Sequence, residues 1–186
     1  GDGRGGSTQD FGRDILPRIV QNAGVFAYPF RDDKQNYWRD IGTLDSYYEA
    51  SMDLVNVDPP FNLYDASFPV HSSTRPRPPA KMVFAGGEAG RMGVTLDSLI
   101  CNGCVVSGGR VERSILSQDV RINSYPLVED SILFDRVEVG RSAKIRRAII
   151  DKDVNQIVEN AQLGRDLGEV FADTDLLVST FMNKDG

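Results

Sequence analysis

Apolar residues in the second half of the chain recur at a step of 17. Val111, Val128 and Ile145 keep that step, as do Ile115, Ile132 and Ile149, Leu116, Leu133 and Ile150, and Val120, Val137 and Val154. The small residues Ser114, Ser131 and Ala148 keep it too. With 40% of the chain apolar, twelve such hits arise by chance on the order of 2 times in 100,000 before the choice of period is discounted, so the repeat is real. Within one unit the apolar clusters lie about six residues apart, as in Val111, Leu116 and Ile122. A helix-pair repeat needs about 33 residues and a leucine-rich repeat at least about 20. Three short strands per turn, β-branched inward and polar at the corners, make a parallel β-helix, and the tight six-residue winding points to the left-handed kind. Ser98, Leu99, Ile100, Cys104 and Val106 fit an earlier, less regular coil, and Ile157 and Leu163 begin a last one. About four coils are expected over 81–164.

Two zones precede the coils. Residues 58–80 hold six of the nine prolines, Pro59, Pro60, Pro69, Pro76, Pro78 and Pro79, so this stretch is expected to be an extended linker. Residues 1–57 read as mixed helix and strand. Ile15, Leu16, Ile19 and Val20 have helical spacing, with Asp14 as the expected cap, Pro17 in the first turn and Gly24 at the end. Val25–Phe30 reads as a short strand. A second helix is expected from the cap Thr43, with Leu44, Tyr47, Tyr48, Met52 and Val55 on one face. This is too little material for a complete α/β domain and reads as the closing helices and strand of one. The tail 165–186 carries no pattern.

Charge and composition narrow the function. A formal net charge of −6 argues against a general nucleic-acid binder, which needs a basic surface. No apolar run approaches the ~18 residues of a membrane span. Gly1–Gly6 lacks the apolar core of a secretion signal, and two cysteines build no disulfide framework, so a cytoplasmic setting is expected. Cys101 and Cys104 offer only two zinc ligands, and the sole histidine, His71, lies in the linker, so packing is their expected role. The glycine-rich stretch Gly86–Gly93 lacks the Lys-Ser/Thr of a phosphate loop and reads as the entry to the coils.

The run Tyr37-Trp38-Arg39-Asp40-Ile41-Gly42-Thr43-Leu44-Asp45-Ser46-Tyr47-Tyr48 resembles the segment that leads into the last catalytic-domain helix of bacterial glucose-1-phosphate adenylyltransferases. Three more pieces agree in order: Asp10 to Pro17; Pro78-Pro79-Ala80-Lys81; and Val139 to Ser142 continuing through Arg146-Arg147 to Lys152. The resemblance covers about residues 8–154 and implies the carboxy-terminal portion of such an enzyme, which forms ADP-glucose and pyrophosphate from ATP and glucose 1-phosphate with Mg²⁺ for glycogen or starch synthesis. The family's glycine-rich nucleotide loop, a further metal carboxylate and a sugar-phosphate lysine belong upstream of the matched region. This chain alone is therefore expected to be inactive.

The resemblance also assigns residues. It makes Asp40 a carboxylate that helps hold Mg²⁺, against the reading of a turn or cap aspartate. It places Trp38, the sole tryptophan, beside the sugar; two residues from Asp40, it shares that side of an extended segment. Asp10 and Phe11 resemble residues lining the sugar-nucleotide pocket, against a helix cap and a buried ring. Among Arg141, Lys144, Arg146, Arg147 and Lys152, the resemblance implies contacts to phosphorylated effectors, with Lys152 at a matching basic position; the opposing reading is a solvated face. Neighbours in a strand point oppositely, so Arg146 and Arg147 cannot both face one ligand. Homo-oligomers, usually tetramers, are implied as well.

Two other functions remain in view. One is a non-catalytic β-helix module that binds effectors or assembles subunits. The other, acyl transfer, needs a coil histidine as general base, and 81–164 contains none. Asn155 to Asn160 replaces the family's usual turn after Val154, which weakens the expectation of an effector response.

Overall fold

The computed structural model describes residues 10–22, 24–27, 37–72, 75–86, 90–154, 157, 161–164 and 177–178. The chain forms two compact units, 1–36 and 37–186. In the first, Phe11–Ile15 make a wide π-type turn that continues into helix α1, Leu16–Asn22. The cap is Asp10 rather than Asp14: its Oδ1 accepts the Arg13 N–H at 2.7 Å, because the wide turn begins one turn earlier than the apolar spacing suggested. Residues 25–27 are not in a strand, and 28–30 lie outside the described residues.

In the second unit, helix α2 spans Leu44–Asp53. Thr43 caps it as expected, in a reciprocal arrangement in which Thr43 Oγ1 accepts the Ser46 N–H at 3.2 Å and Ser46 Oγ accepts the Thr43 N–H at 3.3 Å. The proline-rich segment follows without regular structure in its described part, and then the coils begin.

Fourteen short strands, numbered along the chain, build three parallel sheets among the described residues. The first holds β1 (Lys81–Val83), β4 (Val105–Ser107), β7 (Arg121–Ile122) and β10 (Glu138–Val139). The second holds β2 (Val94–Leu96), β5 (Arg110–Glu112), β8 (Leu127–Glu129), β11 (Lys144–Arg146) and β13 (Gln162–Gly164). The third holds β3 (Leu99–Ile100), β6 (Ile115–Leu116), β9 (Ile132–Leu133), β12 (Ile149–Ile150) and β14 (Leu177–Val178). The chain visits the sheets in rotation, so the architecture is the expected mainly β, parallel β-helix of hexapeptide type. Its regular part makes about three turns. The first coil is longer than the rest: Lys81 pairs with Val105, whereas Val105 pairs with Arg121. The extra residues fall in the glycine-rich stretch, whose ends are held by an antiparallel Ala85–Met92 bridge. That stretch is thus an insertion inside the first coil, after β1, and not the entry to it.

The 17-residue columns stack as the period requires. Val111, Val128 and Ile145 are fully buried, as are Leu116, Leu133 and Ile150. Between the strands, the described corners take a left-handed backbone turn. One edge carries Asp97, Arg113, Asp130 and Arg147, a second Gly103, Asp119, Arg136 and Asp153, and a third Gly108, Tyr125 and Ser142, all with φ between 40° and 83°. For residues with a Cβ this conformation costs roughly 1–2 kcal/mol. It turns the amide along the axis, and the preceding coil accepts it: Arg113 N–H donates to Leu96 O at 3.0 Å, Asp130 to Glu112 O at 3.1 Å and Arg147 to Glu129 O at 3.0 Å. Beside the first edge runs a serine ladder. Ser131 Oγ donates to Glu129 O at 2.6 Å and accepts the Ala148 N–H at 3.2 Å, and Ser114 does the same one coil earlier. This accounts for small residues in that column.

The column Ile115, Ile132 and Ile149 behaves differently. Each neighbours an inward leucine or isoleucine, so strand alternation turns it out of the prism. Ile132 and Ile149 are nevertheless only 2% exposed, because α2 lies over them with Tyr48, Tyr47 and Met52. Tyr48 Oη donates to Asp130 O at 2.7 Å, which fixes the helix to a corner. Burial pushes the Tyr48 hydroxyl up to about 12.

Candidate functional site

Two places on the second unit gather chemistry. The first is the segment before α2. Tyr37 and Arg39 turn toward the end of the helix: Tyr37 Oη donates to Asp53 Oδ2 at 3.2 Å and Arg39 Nη2 to the same oxygen at 3.0 Å. Trp38 is 78% exposed, and Asp40 is exposed as well. Asp40 Oδ1 accepts the Gly42 N–H at 3.2 Å, so the carboxylate also serves the turn into α2. A single exposed carboxylate fits one position in the shell of Mg²⁺, a hard cation that takes one or two carboxylates with phosphate and water oxygens. Among the described residues no group of three His, Cys, Asp or Glu side chains converges to complete a metal site.

The second place is a groove of about 650 Å³ along the edge that carries Asp119, Arg136 and Asp153. Arg75, Arg77, Arg136 and Lys152 line it, with Asp135, Cys101, Ser117 and Gln118. The linker reaches it because Arg77 Nε bonds Asp119 Oδ2 at 2.6 Å and Gly103 N–H donates to Pro78 O at 2.7 Å. Arg136 makes a forked pair with Asp153, with Nη2 to Oδ2 at 2.8 Å, and the pairing holds the Asp153 carboxyl below its ordinary range. Arg75 and Lys152 form no salt bridge among the described residues. Arginine and lysine brought together on a partly concave surface suit phosphate.

The expected site residues are therefore distributed. Asp10 caps the first turn of the other unit, and Phe11 is 63% exposed there rather than buried. Lys152 lies in the groove. Arg146 does not: it stands on β11 with Nε 2.8 Å from Glu129 Oε2. Arg147 sits at the corner beyond it, its guanidinium 5.9 Å from the centre of the Tyr48 ring. Cys104 packs in the core, donating to Ser117 O at 2.9 Å, and burial pushes its thiol up to about 11. Cys101 is exposed in the groove, and both thiols are free. Arg75, Arg77 and Arg136 were not singled out from the sequence. The 17-residue step held the signal for one of them, since it places Arg136 on the edge of Asp119 and Asp153, one residue round from Lys152.

Residues 78–175 match the family model described as GlmU-like, C-terminal hexapeptide, and residues 4–57 match the model described as nucleotidyl transferase. The chain is similar to a glucose-1-phosphate adenylyltransferase of Rhodopirellula baltica, 52% identical over 165 residues that cover 87% of this chain and 37% of the relative. Similar proteins of the same name from Koribacter versatilis and an Anaeromyxobacter species are 51% and 48% identical, across 86% and 87% of this chain and 38% and 41% of their own lengths. The chain thus spans less than half the length of the curated relatives it matches. Among the described residues, no helix is long and apolar enough to cross a membrane.

Proposed function

From the premise that this chain belongs to the GlmU-like, C-terminal hexapeptide family, with a nucleotidyl transferase segment ahead of its coils, we propose that it is part of a glucose-1-phosphate adenylyltransferase. The reaction joins ATP and glucose 1-phosphate to give ADP-glucose and pyrophosphate and serves glycogen or starch synthesis. The observation that carries the reading is the outward presentation of Trp38 and Asp40 from one restrained segment, within the part that matches the nucleotidyl transferase model. Asp40 offers one oxygen to Mg²⁺, and the remaining ligands come from substrate phosphates, water and groups outside the described residues. Bound there, Mg²⁺ neutralises charge on phosphate oxygens. Trp38 supplies a broad apolar face for a sugar ring, and the family resemblance assigns Asp10 and Phe11 to sugar-nucleotide binding.

The cationic groove favours a second role for the same chain, binding of phosphorylated metabolite effectors, with Lys152 as the contact. Arg146 and Arg147 lie outside the groove, at Glu129 and Tyr48. Homo-oligomers, tetramers in the first place, are the expected assembly.

The test pairs the chain with a complementary part. The chain is mixed with the amino-terminal nucleotidyl transferase part of the Rhodopirellula baltica relative and assayed for ADP-glucose formation. Activity is expected only from the mixture, and Asp40→Asn should lower kcat by about a hundredfold, in line with loss of a charge-stabilising group. Full activity in the Asp40→Asn mixture would sink the metal role. An inactive mixture that still binds inorganic phosphate through Lys152 would leave an effector-binding or assembly module.

A further inference from the structure

We propose that Asp53, at the carboxy-terminal end of α2, is a positioning residue that holds the segment carrying Trp38 and Asp40. Donors from two alternate residues, the Tyr37 hydroxyl at 3.2 Å and the Arg39 guanidinium at 3.0 Å, converge on one oxygen, Asp53 Oδ2. The Asp53 side chain is 20% exposed, so the acceptor is partly shielded from water. Arg39 is drawn further toward the helix by Glu49, at 3.9 Å, and the Tyr37 ring stacks on Phe61 with centroids 6.1 Å apart. In an extended segment, fixing two alternate residues fixes the face of the residues between them. Trp38 is the residue between them, and Asp40 follows Arg39 directly, so its backbone is held at that end.

The clamp also has a firm base. The helix that carries Asp53 is bolted to the coils by Tyr48, through its hydrogen bond to Asp130 O and its contact with Ile132 and Ile149. The position of Asp40 is thereby referred to the β-helix, through α2, rather than to the loop alone. A ligand carboxylate has to be held to within about half an ångström, and a supporting hydrogen-bond shell is the usual means. Each contact is modest, since Arg39 is half exposed and such pairs contribute little singly. Their convergence on one oxygen means that a single substitution releases both. The catalytic consequence rests on the function proposed above; the clamp does not.

Trp38 is the only tryptophan, so its fluorescence reports this segment in the 186-residue chain directly. Time-resolved anisotropy should show at least a twofold rise in the fast, roughly nanosecond component in Asp53→Ala, with the coil far-UV spectrum and thermal midpoint kept. The double substitution Tyr37→Phe with Arg39→Met removes both donors from the other side, keeps the ring stack and should give the same rise. It decides the matter if Asp53→Ala fails to fold. Unchanged anisotropy in the folded variants would overturn the proposal. In the complemented enzyme, Asp53→Ala should lower kcat about tenfold and Asp53→Glu should recover part of it. A faster Trp38 with undiminished kcat would also overturn the positioning role. If the unsubstituted mixture is inactive, the proposed function has failed and the anisotropy result alone decides the clamp.

Discussion

Ile132 and Leu133 are sequence neighbours with almost equal burial, at 2% and 0% exposed, yet the fold gives them opposite jobs. Leu133 faces into the prism between Leu116 and Ile150, its register partners on the adjacent coils. Ile132 faces out, under Tyr48 of α2. Truncation to alanine removes three carbons from either, a transfer loss of roughly 2.4 kcal/mol at about 0.8 kcal/mol per methylene. The cavity term separates them. Inside the prism the coils above and below are hydrogen-bonded on both sides and cannot close the gap, so Leu133→Ala should cost about 4 kcal/mol. Under α2 a ten-residue helix can settle by a fraction of an ångström, leaving no cavity and burying other apolar surface in place of the lost carbons, so Ile132→Ala should cost nearer 2 kcal/mol. The regional effect is the sharper test. Native-state hydrogen exchange should show Ile132→Ala raising exchange about thirtyfold in the amides of α2 while the coil amides keep their protection. Leu133→Ala should raise exchange throughout β6, β9 and β12. If Ile132→Ala opened the coils as widely as Leu133→Ala, or left α2 untouched, the assignment of the outer isoleucine column to the helix would be wrong.

A Cβ on Gly93 would meet Val106 O at 2.5 Å and Val83 O at 2.7 Å, both backbone atoms, so Gly93→Ala should destabilise by about 3 kcal/mol in urea unfolding; a change under 1 kcal/mol would refute that packing. The Tyr48 hydroxyl is raised from 10.0 to about 12, so the folded state keeps its proton longer than the unfolded chain does. The resulting stability is complete below pH 10 and is lost as pH rises toward 12; thermal melts across that window should fall less steeply in Tyr48→Phe than in the unsubstituted chain, and parallel slopes would refute the burial. Asp135→Asn should tighten inorganic phosphate in the groove about threefold at low salt, and Lys152→Ala should weaken it by more, both read by calorimetry; the reverse order would show that the groove is not the anion site.

The architecture was legible because a coil protein writes its geometry into one period: each of the columns led by Val111, Leu116 and Ile115 stacks in the register the step demands. What the period could not say was which way a column faces. Ile115, Ile132 and Ile149 read as core, and Ile132 and Ile149 are buried with Ile115 partly so, but by a helix about 80 residues upstream whose own apolar face reads in sequence as the closing piece of an α/β domain. Thr43 was readable as a cap because the capping box is local. Asp10 displaced Asp14 because a π-type turn shifts the start without changing the apolar spacing. The insertion at Gly86–Gly93 was misplaced for a similar reason, since β1 is three residues long and its alternation too short to register.

The site was less legible because charge acts through space and the sequence shows it only as composition. The five cations between Arg141 and Lys152 looked like one basic patch, yet the coil distributes them to different surfaces: Arg146 to Glu129, Arg147 to the Tyr48 ring, Lys152 to the groove. Conversely, the groove draws Arg75 and Arg77 from the linker and Arg136 from a corner one coil earlier than Lys152. Its four cations do not act at full strength. Arg77 is paired with Asp119 and Arg136 with Asp153, while Asp135 stands in the lining, so four positive charges meet three negative ones and one net positive charge remains. The edge thus alternates in sign along the axis, as does the edge of Asp97, Arg113, Asp130 and Arg147, where Arg113 forks onto Asp130 at 2.7 and 2.9 Å. Exposed pairs of this kind contribute under about 1 kcal/mol each, too little to hold the coils together. Their effect is on discrimination: side chains stacked about 4.8 Å apart at a corner would repel if like followed like, so alternation disfavours a coil slipped along the axis. An anion entering the groove would meet one net positive charge set within an ordered charge row, rather than an empty positive pocket.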